Sequence, residues 1–372
     1  MTIILFLVVL AILIFVHELG HFWVAKKSGI RVDEFAIGFP PKIFGWVRGE
    51  TKYVLNLIPF GGYVKIFGEN PDPSDEALIR AGDSSTGDNK RSFAFAPKWK
   101  QISVLLAGIG MNIIFAWILI SISFMFGSLI PVGEGASGYS KYIKDSSVIL
   151  TGIAPDSAAE KAGLKTGDKI LTVSSITGVN LNTVKIRELI EWSTKPVSVT
   201  FERNGVANDI LITPTMSTST GEKKVIGIYM ENVGVVKLNP VMAFYEGAKL
   251  TVITFGQVAA GLGNFIWQAV RGHGDFSQVS GPVGIVGMVG DAASFGFAYL
   301  LGFVAFISLN LAVINLIPFP ALDGGRVLFV IIEAITRRQI KPVVANTVNT
   351  VGFFILISLM LIITYRDIMK FF

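Results

Sequence analysis

Four long apolar stretches constrain the fold of this chain more than any other feature. A helix needs about 20 apolar residues to cross the ~30 Å hydrocarbon core of a bilayer. The first stretch runs from Ile3 to about Ala25, and Glu18 is its only formally charged residue. The others run from Gln101 to Gly133, from Ala292 to Leu322 and from Pro342 to Tyr365, without formal charge. The sequence therefore predicts a polytopic α-helical membrane protein with four transmembrane helices.

The composition agrees with a membrane environment. Hydrophobic residues make up 51% of the chain and charged residues 16%, against about 25% charged in an average soluble domain. The net charge of +5 comes with Lys and Arg beside the apolar spans, as the positive-inside rule expects. The lipid bilayer is thus a predicted partner and nucleic acid is not. The absence of cysteine excludes disulfides and any thiolate metal site.

Basic flanks predict the orientation of the spans. They follow the first span, precede the second and separate the third from the fourth: Lys26, Lys27, Arg31; Arg91, Lys98, Lys100; Arg326, Arg337, Arg338, Lys341. Because short cytoplasmic loops are enriched in Lys and Arg, these loops are predicted to be cytoplasmic. Both termini and the long segment between spans two and three then lie outside the cytoplasm.

A fifth apolar stretch, Leu250 to Val270, competes with this count. Counting it as a span would place Asp323 on the membrane face opposite His17. Gly261, Gly263 and polar side chains lower its hydrophobicity, so we interpret it as an amphipathic segment on the outer leaflet.

The sequence thus predicts four parts of the chain. They are an N-terminal membrane part at 1–134, a soluble domain at 135–232, the outer segment at 233–291 and a C-terminal membrane part at 292–372.

The soluble insert has an α+β pattern. The run from Val148 to Val173 predicts a strand, a short helix from Ser157 to Ala162 and a second strand. A longer helix is predicted from Asn182 to Trp192, with later strands at Val197–Arg203 and Asp209–Pro214. The Ser-x-Ala-x-x-Ala-Gly-Leu-x-x-Gly-Asp-x-Ile run resembles a PDZ domain, which implies an extended peptide ligand added as a strand. An unspecialised β-rich domain is the alternative.

The first span carries a metal-binding pattern, His17-Glu18-Leu19-Gly20-His21. Residues four apart share one helix face, about 6 Å apart along the axis, so both imidazoles can reach one Zn²⁺. Glu18 lies beside them, where it can take a proton from an activated water. Ionisable groups in a membrane span each cost roughly 2.5 kcal/mol or more, which argues against a chance occurrence.

A third zinc ligand has to come from elsewhere in the chain. The remaining histidine, His273, lies in the outer segment, and cysteine is absent. A carboxylate near the cytoplasmic end of a span is therefore expected, and Asp323 is the best placed. It follows a proline-containing break and precedes two glycines, which allow close backbone approach. The weaker candidates are Asp33, Glu34 and Glu333.

Several motifs together resemble the site-2 protease family of intramembrane zinc metalloproteases. These are His-Glu-x-x-His in the first span, Asn315-Leu-Ile-Pro-Phe-Pro-Ala-Leu-Asp-Gly-Gly325 in a late span and a PDZ-like domain between them. The resemblance covers the whole chain and is nearest to the bacterial branch, here with a single PDZ signature. It implies that His17, His21 and Asp323 bind Zn²⁺ and that Glu18 is the catalytic base.

The resemblance also implies a location and a class of substrate. The location is the bacterial inner membrane, with the active site toward the cytoplasm. The substrate class is single-pass membrane proteins, such as anti-sigma factor-like proteins or signal-peptide remnants. Cleavage is expected after a first extracytoplasmic cut, because the PDZ-like domain and the outer apolar segment are predicted to exclude substrates with large ectodomains.

The segments Phe35–Phe39 and Tyr53–Lys65 resemble the membrane-associated β-hairpin of that family, and the second of them carries the turn. It reads as two β-prone runs about a Pro-Phe-Gly-Gly turn, and a strand edge at membrane depth is tolerated only beside a protein cavity. A substrate strand is expected to pair there; a plain cytoplasmic hairpin is the alternative. The candidate substrate-binding residues are Tyr53, Val54, Leu55, Gly61, Gly62 and Tyr63.

Asn310 and Asn315 match family asparagines whose amides can hold a substrate backbone or an oxyanion. Ordinary interhelical hydrogen bonding is the alternative. One departure concerns Ala107-Gly-Ile-Gly-Met-Asn112, where the family usually has Ala-Gly-Pro-x-x-Asn. Two other functions remain open, a non-catalytic PDZ membrane scaffold and a metal transporter.

Overall fold

The computed structural model describes residues 1–69, 89–132, 139–174, 176–177, 181–203, 205–216, 224–273, 279–338 and 340–369. The segment Gly68–Asn89 is rich in Asp, Ser, Pro and Gly, which predicts a flexible cytoplasmic loop, and it lies almost wholly outside the described residues. The chain forms two compact units. The first comprises Met1–Ile120, Gly247–Gly290 and Phe303–Phe372, and the second comprises Ser121–Glu246 and Asp291–Gly302.

The helices in the described residues are, in chain order, α1 (Thr2–Lys27), α2 (Lys98–Phe126), α3 (Ala158–Lys161), α4 (Thr183–Trp192), α5 (Pro240–Val270), α6 (Pro282–Ser294), α7 (Phe297–Leu316), α8 (Asp323–Thr336) and α9 (Pro342–Met369). The strands are β1 (Val32–Arg48), β2 (Thr51–Ile66), β3 (Ser128–Pro131), β4 (Ile143–Ile153), β5 (Lys169–Val173), β6 (Ile176–Thr177), β7 (Val197–Arg203), β8 (Val206–Ile212), β9 (Thr215–Met216), β10 (Lys224–Val225) and β11 (Ile228–Val236).

Within the described ranges, five helices are long and apolar enough to cross a membrane: α1, α2, α5, α7 and α9. The prediction of a multi-pass membrane protein is confirmed at this level. The fifth helix, α5, has 31 residues because the structure joins the stretch Leu250–Val270 to the residues before it. By length and composition, the described residues therefore contain five candidate spans, one more than the four predicted from the sequence.

Two predicted spans are shorter in the structure, and glycines mark both ends. The second was predicted to reach Gly133, but α2 ends at Phe126 because Gly127 has a φ of 104° and the chain turns into β3. The third was predicted over Ala292–Leu322. It is interrupted at Gly296, whose φ is 99°, so that α6 ends before it and α7 begins after it.

In the first unit, β1 and β2 form one antiparallel pair of bent strands. Residues 34–37 lie opposite both 52–55 and 62–65, so they separate the two β-prone runs of β2. The two runs therefore do not pair with each other, as a simple hairpin about Pro-Phe-Gly-Gly would require. Residues 62–66 form one edge of this arrangement, beside β1.

Ion pairs and apolar packing fix these strands at the end of α1. The Glu50 carboxylate, at the turn between the strands, accepts from Lys26 Nζ and from Arg91 Nη2, both at 2.7 Å. The hydrogen bond from Arg91, then that from Lys26, lowers the pKa of Glu50 to about 2. A core of buried apolar residues from α1, β1, β2, α2 and α8 lies nearby, including Ala25, Val32, Ile66, Leu105 and Val330.

The second unit is built on a seven-stranded sheet in the order β3-β11-β4-β5-β7-β8, with β6 paired to β5. Its core joins Leu150, Ile170 and Phe201 of the sheet to Ile186 and Ile190 of α4. Both short helices begin at side-chain caps. Ser157 accepts from Glu160 N at 3.2 Å and Asn182 from Lys185 N at 2.8 Å, which matches the sequence signal for helix starts.

Candidate metal centre

Three side-chain atoms converge within the first unit. His17 Nε2 lies 3.2 Å from His21 Nε2, and Asp323 Oδ2 lies 3.1 Å from the former and 3.4 Å from the latter. Tetrahedral zinc with bonds of about 2.0–2.1 Å holds its ligand atoms roughly 3.3 Å apart. The observed spacings therefore match the edges of a zinc tetrahedron with three protein ligands.

The surroundings of Asp323 Oδ2 test this fit. The atom is buried and makes no hydrogen bond, although two imidazole nitrogens lie close to it. A buried carboxylate oxygen without a partner carries a large desolvation cost. A cation between the three acceptor atoms would remove that cost, so the residues present fit Zn²⁺.

Local structure explains why each ligand reaches this point. His17 and His21 are one turn apart on α1, so they present their rings on the same face. Asp323 is the first residue of α8, directly after the proline-containing break. A Cβ at Gly324 would lie 2.4 Å from the Leu316 carbonyl oxygen, and one at Gly325 only 2.2 Å from that of Phe319. The two glycines thus let α8 start tightly against the end of α7.

Helix α2 packs against the two imidazoles at Gly108, which has no side chain. A Cβ there would lie 2.3 Å from His21 Nε2 and 2.7 Å from His17 Cε1. Real Cβ atoms do not come this close to other heavy atoms. Only glycine at this position leaves the ligand atoms of both imidazoles accessible.

Both imidazoles contact α2 through their other ring nitrogen. His21 Nδ1 lies 2.8 Å from the carbonyl oxygen of Val104, and His17 Nδ1 lies 3.2 Å from the amide nitrogen of Asn112. In the sequence, Asn112 is only part of a family match and has no predicted place in the site. Its sequence signal is a polar amide inside a charge-free span, whereas nothing in the sequence indicates the Val104 carbonyl.

Glu18 lies beside β2. A Cβ at Gly62 would be 3.4 Å from Glu18 Cγ and 3.2 Å from Ile14 Cγ2, so the edge segment of β2 passes next to the predicted base. Gly61 lies against the Phe39 ring. The Tyr63 hydroxyl donates to Glu34 Oε1 at 2.6 Å.

The other strand residues predicted to bind substrate lie on the inner run of β2. The Tyr53 ring stacks on Trp46 at 5.3 Å between centroids, and it also packs against Phe22 and Phe35. Val54 is buried, whereas Leu55 is 43% exposed. No described contact joins these three residues to the metal ligands.

The two asparagines of α7 also lie outside the ligand cluster. Asn310 Nδ2 donates to the Phe306 carbonyl at 2.8 Å, one turn earlier in its own helix. Asn315 is partly exposed near the end of that helix. The structure thus brings together His17, His21 and Asp323. Glu18 directly follows His17 in the sequence, and neither asparagine has a described contact with the three ligands.

The weaker third-ligand candidates have partners of their own. Asp33 accepts from Arg31 at 2.8 Å. Glu34 accepts from Tyr63 and Lys52. Glu333 pairs with Lys98 and accepts from the Ile340 amide. Each carboxylate is thus held by other side chains or backbone groups, which leaves Asp323 as the carboxylate beside the two imidazoles in the described residues.

Comparison with known proteins finds similarity to a peptidase family and to proteins named as zinc metalloproteases. The model of peptidase family M50 matches residues 5–359. A putative zinc metalloprotease of Clostridium perfringens is 36% identical over 371 residues, 99% of this chain and 98% of that protein. The zinc metalloprotease RasP of Geobacillus kaustophilus is 32% identical over 430 residues, 100% of this chain and 98% of the relative. A putative zinc metalloprotease of Rhizobium meliloti is 32% identical over 99% of this chain and 96% of its own length.

Proposed function

The chain belongs to peptidase family M50, and from this we propose that it is an intramembrane zinc metalloprotease that cuts the transmembrane segments of other proteins. The observation that carries the proposal is the cluster formed by His17 and His21 of the otherwise apolar helix α1 and by Asp323 at the start of α8. Glu18 directly follows His17 in α1. Ionisable groups in a membrane span are costly and mark functional sites. A scaffold would not need them.

The chain's residues have separate roles in this chemistry. When bound by His17, His21 and Asp323, zinc supplies Lewis acidity that polarises a carbonyl group and acidifies water. Glu18 accepts the proton of the attacking water through its carboxylate and later returns it to the leaving amine nitrogen. The hydrogen bond of His21 to Val104 holds its ring in place, so the ligand atom keeps its direction during the reaction.

The edge of β2 is the proposed substrate site. Residues 62–66 pair with β1 on one side, and no strand in the described residues pairs with their other side. An extended peptide can add to such an edge through its backbone. Because Gly62 lies next to Glu18, a transmembrane segment unwound onto this edge would bring its peptide bond to the catalytic residues. Asn310 and Asn315 are proposed to hold the substrate backbone or the oxyanion.

The second unit is proposed to contain a PDZ domain, predicted at 135–232, that binds a peptide. Its β11 pairs with β4 along its length, while β3 covers the opposite edge only from Val233 onward. The first half of that edge therefore lies open among the described strands. Helix α4 is tied to the same strand, since Thr183 N donates to Asn232 Oδ1 at 3.2 Å. Such an edge beside a helix suits strand addition.

The proposed membrane placement follows the basic flanks. In it α1, α2, α7 and α9 span a bacterial inner membrane, with both termini and the PDZ domain outside and the metal site toward the cytoplasm. Helix α5 is proposed to lie on the outer leaflet. Its exposed side chains include Val252 and Trp267, and Arg271 lies over the Trp267 ring at 4.3 Å, as in interfacial anchors. The proposed substrates are single-pass membrane proteins, such as anti-sigma factor-like proteins or signal-peptide remnants. A first cut has already shortened their extracytoplasmic part.

The proposal is tested with purified protein and a tagged single-span substrate in detergent. Wild type is compared with Glu18→Gln, and bound zinc is measured in both. We expect cleavage by wild type alone, with zinc in both, because the amide keeps the shape of the carboxylate but cannot accept the proton. Equal cleavage by the variant would contradict the role of Glu18. Zinc transport into vesicles that survives in Glu18→Gln would favour the metal transporter instead.

A further inference from the structure

Asn112 is an unusual residue for its place in the fold. It lies in the apolar helix α2 and is fully buried, with an exposed fraction of 0%. Its amide nitrogen is 3.2 Å from His17 Nδ1, while its amide oxygen is buried and has no hydrogen-bond partner. A buried acceptor without a partner loses its hydrogen bonds to water and gains none in return. The amide can face His17 with its nitrogen or with its oxygen, and the orientation with the nitrogen toward His17 is the less favourable one.

The direction of the His17 ring shows which atom the amide should present. His17 Nε2 points to Asp323 Oδ2 and His21 Nε2, so Nε2 is the ligand atom and must be unprotonated. A neutral imidazole then carries its proton on Nδ1, and that N–H requires an acceptor. The amide nitrogen cannot accept, but the amide oxygen can.

A half-turn of the Asn112 amide about its last bond resolves both problems. Amide nitrogen and oxygen have nearly the same shape, so their assignment rests on the hydrogen bonds they make. After the turn, Oδ1 faces the Nδ1–H of His17 and gains its missing partner. His21 shows the same arrangement without ambiguity, because its Nδ1 faces the Val104 carbonyl at 2.8 Å, which can only accept.

We infer that Asn112 is a positioning residue of the metal centre: its Oδ1 accepts the Nδ1–H of His17 and holds that ring in the tautomer whose Nε2 binds the metal. Partners of this kind orient ligand histidines and raise their basicity. The inference rests on the proposed zinc site, but not on proteolysis. Asn112 acts through His17 and does not touch the reacting atoms.

The backbone around Asn112 supports a fixed position. Its carbonyl oxygen accepts from Ser308 Oγ at 2.9 Å, and Ser308 is also fully buried, in α7. This bond ties α2 to α7 at the level of the site. The amide is therefore held at a defined distance from His17 by two helices rather than by one.

Zinc affinity in three variants tests the inference, measured by competition with a chelator in detergent. Asn112→Leu keeps the size but lacks the acceptor, and we expect affinity to fall about 10–100-fold. Asn112→Asp keeps an acceptor oxygen, and affinity should stay at or above that of wild type. Ser123→Ala is the matched control, since it removes a 2.7 Å hydrogen bond to the Ala298 carbonyl elsewhere in α2 and should leave affinity unchanged.

Each outcome decides the matter. Wild-type affinity in Asn112→Leu would overturn the inference while leaving the zinc site intact, and so would an Asn112→Asp protein as weak as Asn112→Leu. A wild type that binds no zinc would overturn the metal site and the inference with it. If Asn112→Leu does not fold, Asn112→Ala makes the same comparison without adding volume. Substitution of Co²⁺ for zinc adds a second readout, because its absorption spectrum reports ligand geometry.

Discussion

At the scale of single residues, the metal centre depends as much on a missing side chain as on its ligands. Gly108 faces His17 and His21 at distances that leave no space for a Cβ. Nothing in the pattern Ala-Gly-Ile-Gly-Met-Asn indicates which of its glycines lies at the site, because this depends on how α2 packs against α1. The neighbouring Gly110 has open space around it, so the two glycines of α2 provide a matched pair.

Gly108→Ala is expected to abolish zinc binding. Its Cβ would lie 2.3 Å from His21 Nε2, so the imidazoles would have to move out of their ligand geometry. Gly110→Ala should retain full zinc content and gain roughly 0.5–1 kcal/mol of helix stability. Metal content after gel filtration measures both. Full zinc occupancy in Gly108→Ala would contradict the packing of α2 against the site.

The residue roles that the sequence could predict are those with local geometry. The pairing of His17 with His21 follows from helical spacing, and Asp323 follows from the lack of other ligands and from the glycines after it. The role of Glu18 as the base comes from the motif and the family resemblance, and it stays a prediction. The contacts of Val104 and Asn112 with the two imidazoles depend on helix packing across the chain. They could not be predicted because no local pattern encodes the register between two helices.

At the scale of elements, local signals again succeeded and long-range pairing did not. Ser157 and Asn182 cap the two short helices where the sequence suggested helix starts. The two β-prone runs of β2 were expected to pair about the Pro-Phe-Gly-Gly turn. The structure instead places residues 34–37 between them, because a strand from earlier in the chain supplies backbone partners on both sides.

The sheet of the second unit contains an ion pair suited to a stability measurement. Asp168 is 1% exposed and accepts from Arg203 Nε and Nη2, both at 2.7 Å. It also accepts from Lys165 N at 2.8 Å. Asp168→Ala should therefore lower the free energy of unfolding of this unit by about 2–3 kcal/mol.

Proteolysis of the full chain at increasing urea concentration measures this loss. The matched control is Asp209→Ala on the exposed strand β8, expected to stay within about 0.5 kcal/mol of wild type. Equal stability of the Asp168 and Asp209 variants would show that the ion pair of Asp168 with Arg203 contributes no more than a surface contact.

At the scale of the whole molecule, the sequence predicted a multi-pass membrane protein correctly, but composition does not determine the number of spans. Helix α5 passes the length and hydropathy requirement for a span, while its glycines and amides suit an interface. Orientation to lipid is set by the bilayer and by neighbouring helices, which a local apolar count does not include.

Cysteine labelling distinguishes the two placements of α5, and the chain is suited to it because it has no cysteine of its own. Val241→Cys and Val270→Cys place labels near opposite ends of the helix. The native Val241 and Val270 are 79% and 77% exposed. An interfacial helix predicts that an impermeant maleimide reaches both from the outer face. Trp192→Cys, in the domain proposed to lie outside the cytoplasm, is the control for labelling from that face. Labelling of the two ends from opposite faces would make α5 a fifth span.

The proposed zinc site is built by residues from the two ends of the chain, and the zinc content of the purified protein is its simplest test. Elemental analysis of purified protein should find one zinc per chain in wild type and in His273→Ala, which changes the remaining histidine outside the cluster. His17→Ala should hold little or none, because two ligands bind zinc far more weakly than three. A wild type without zinc, or a His17→Ala protein that retains its zinc fully, would rule out this site.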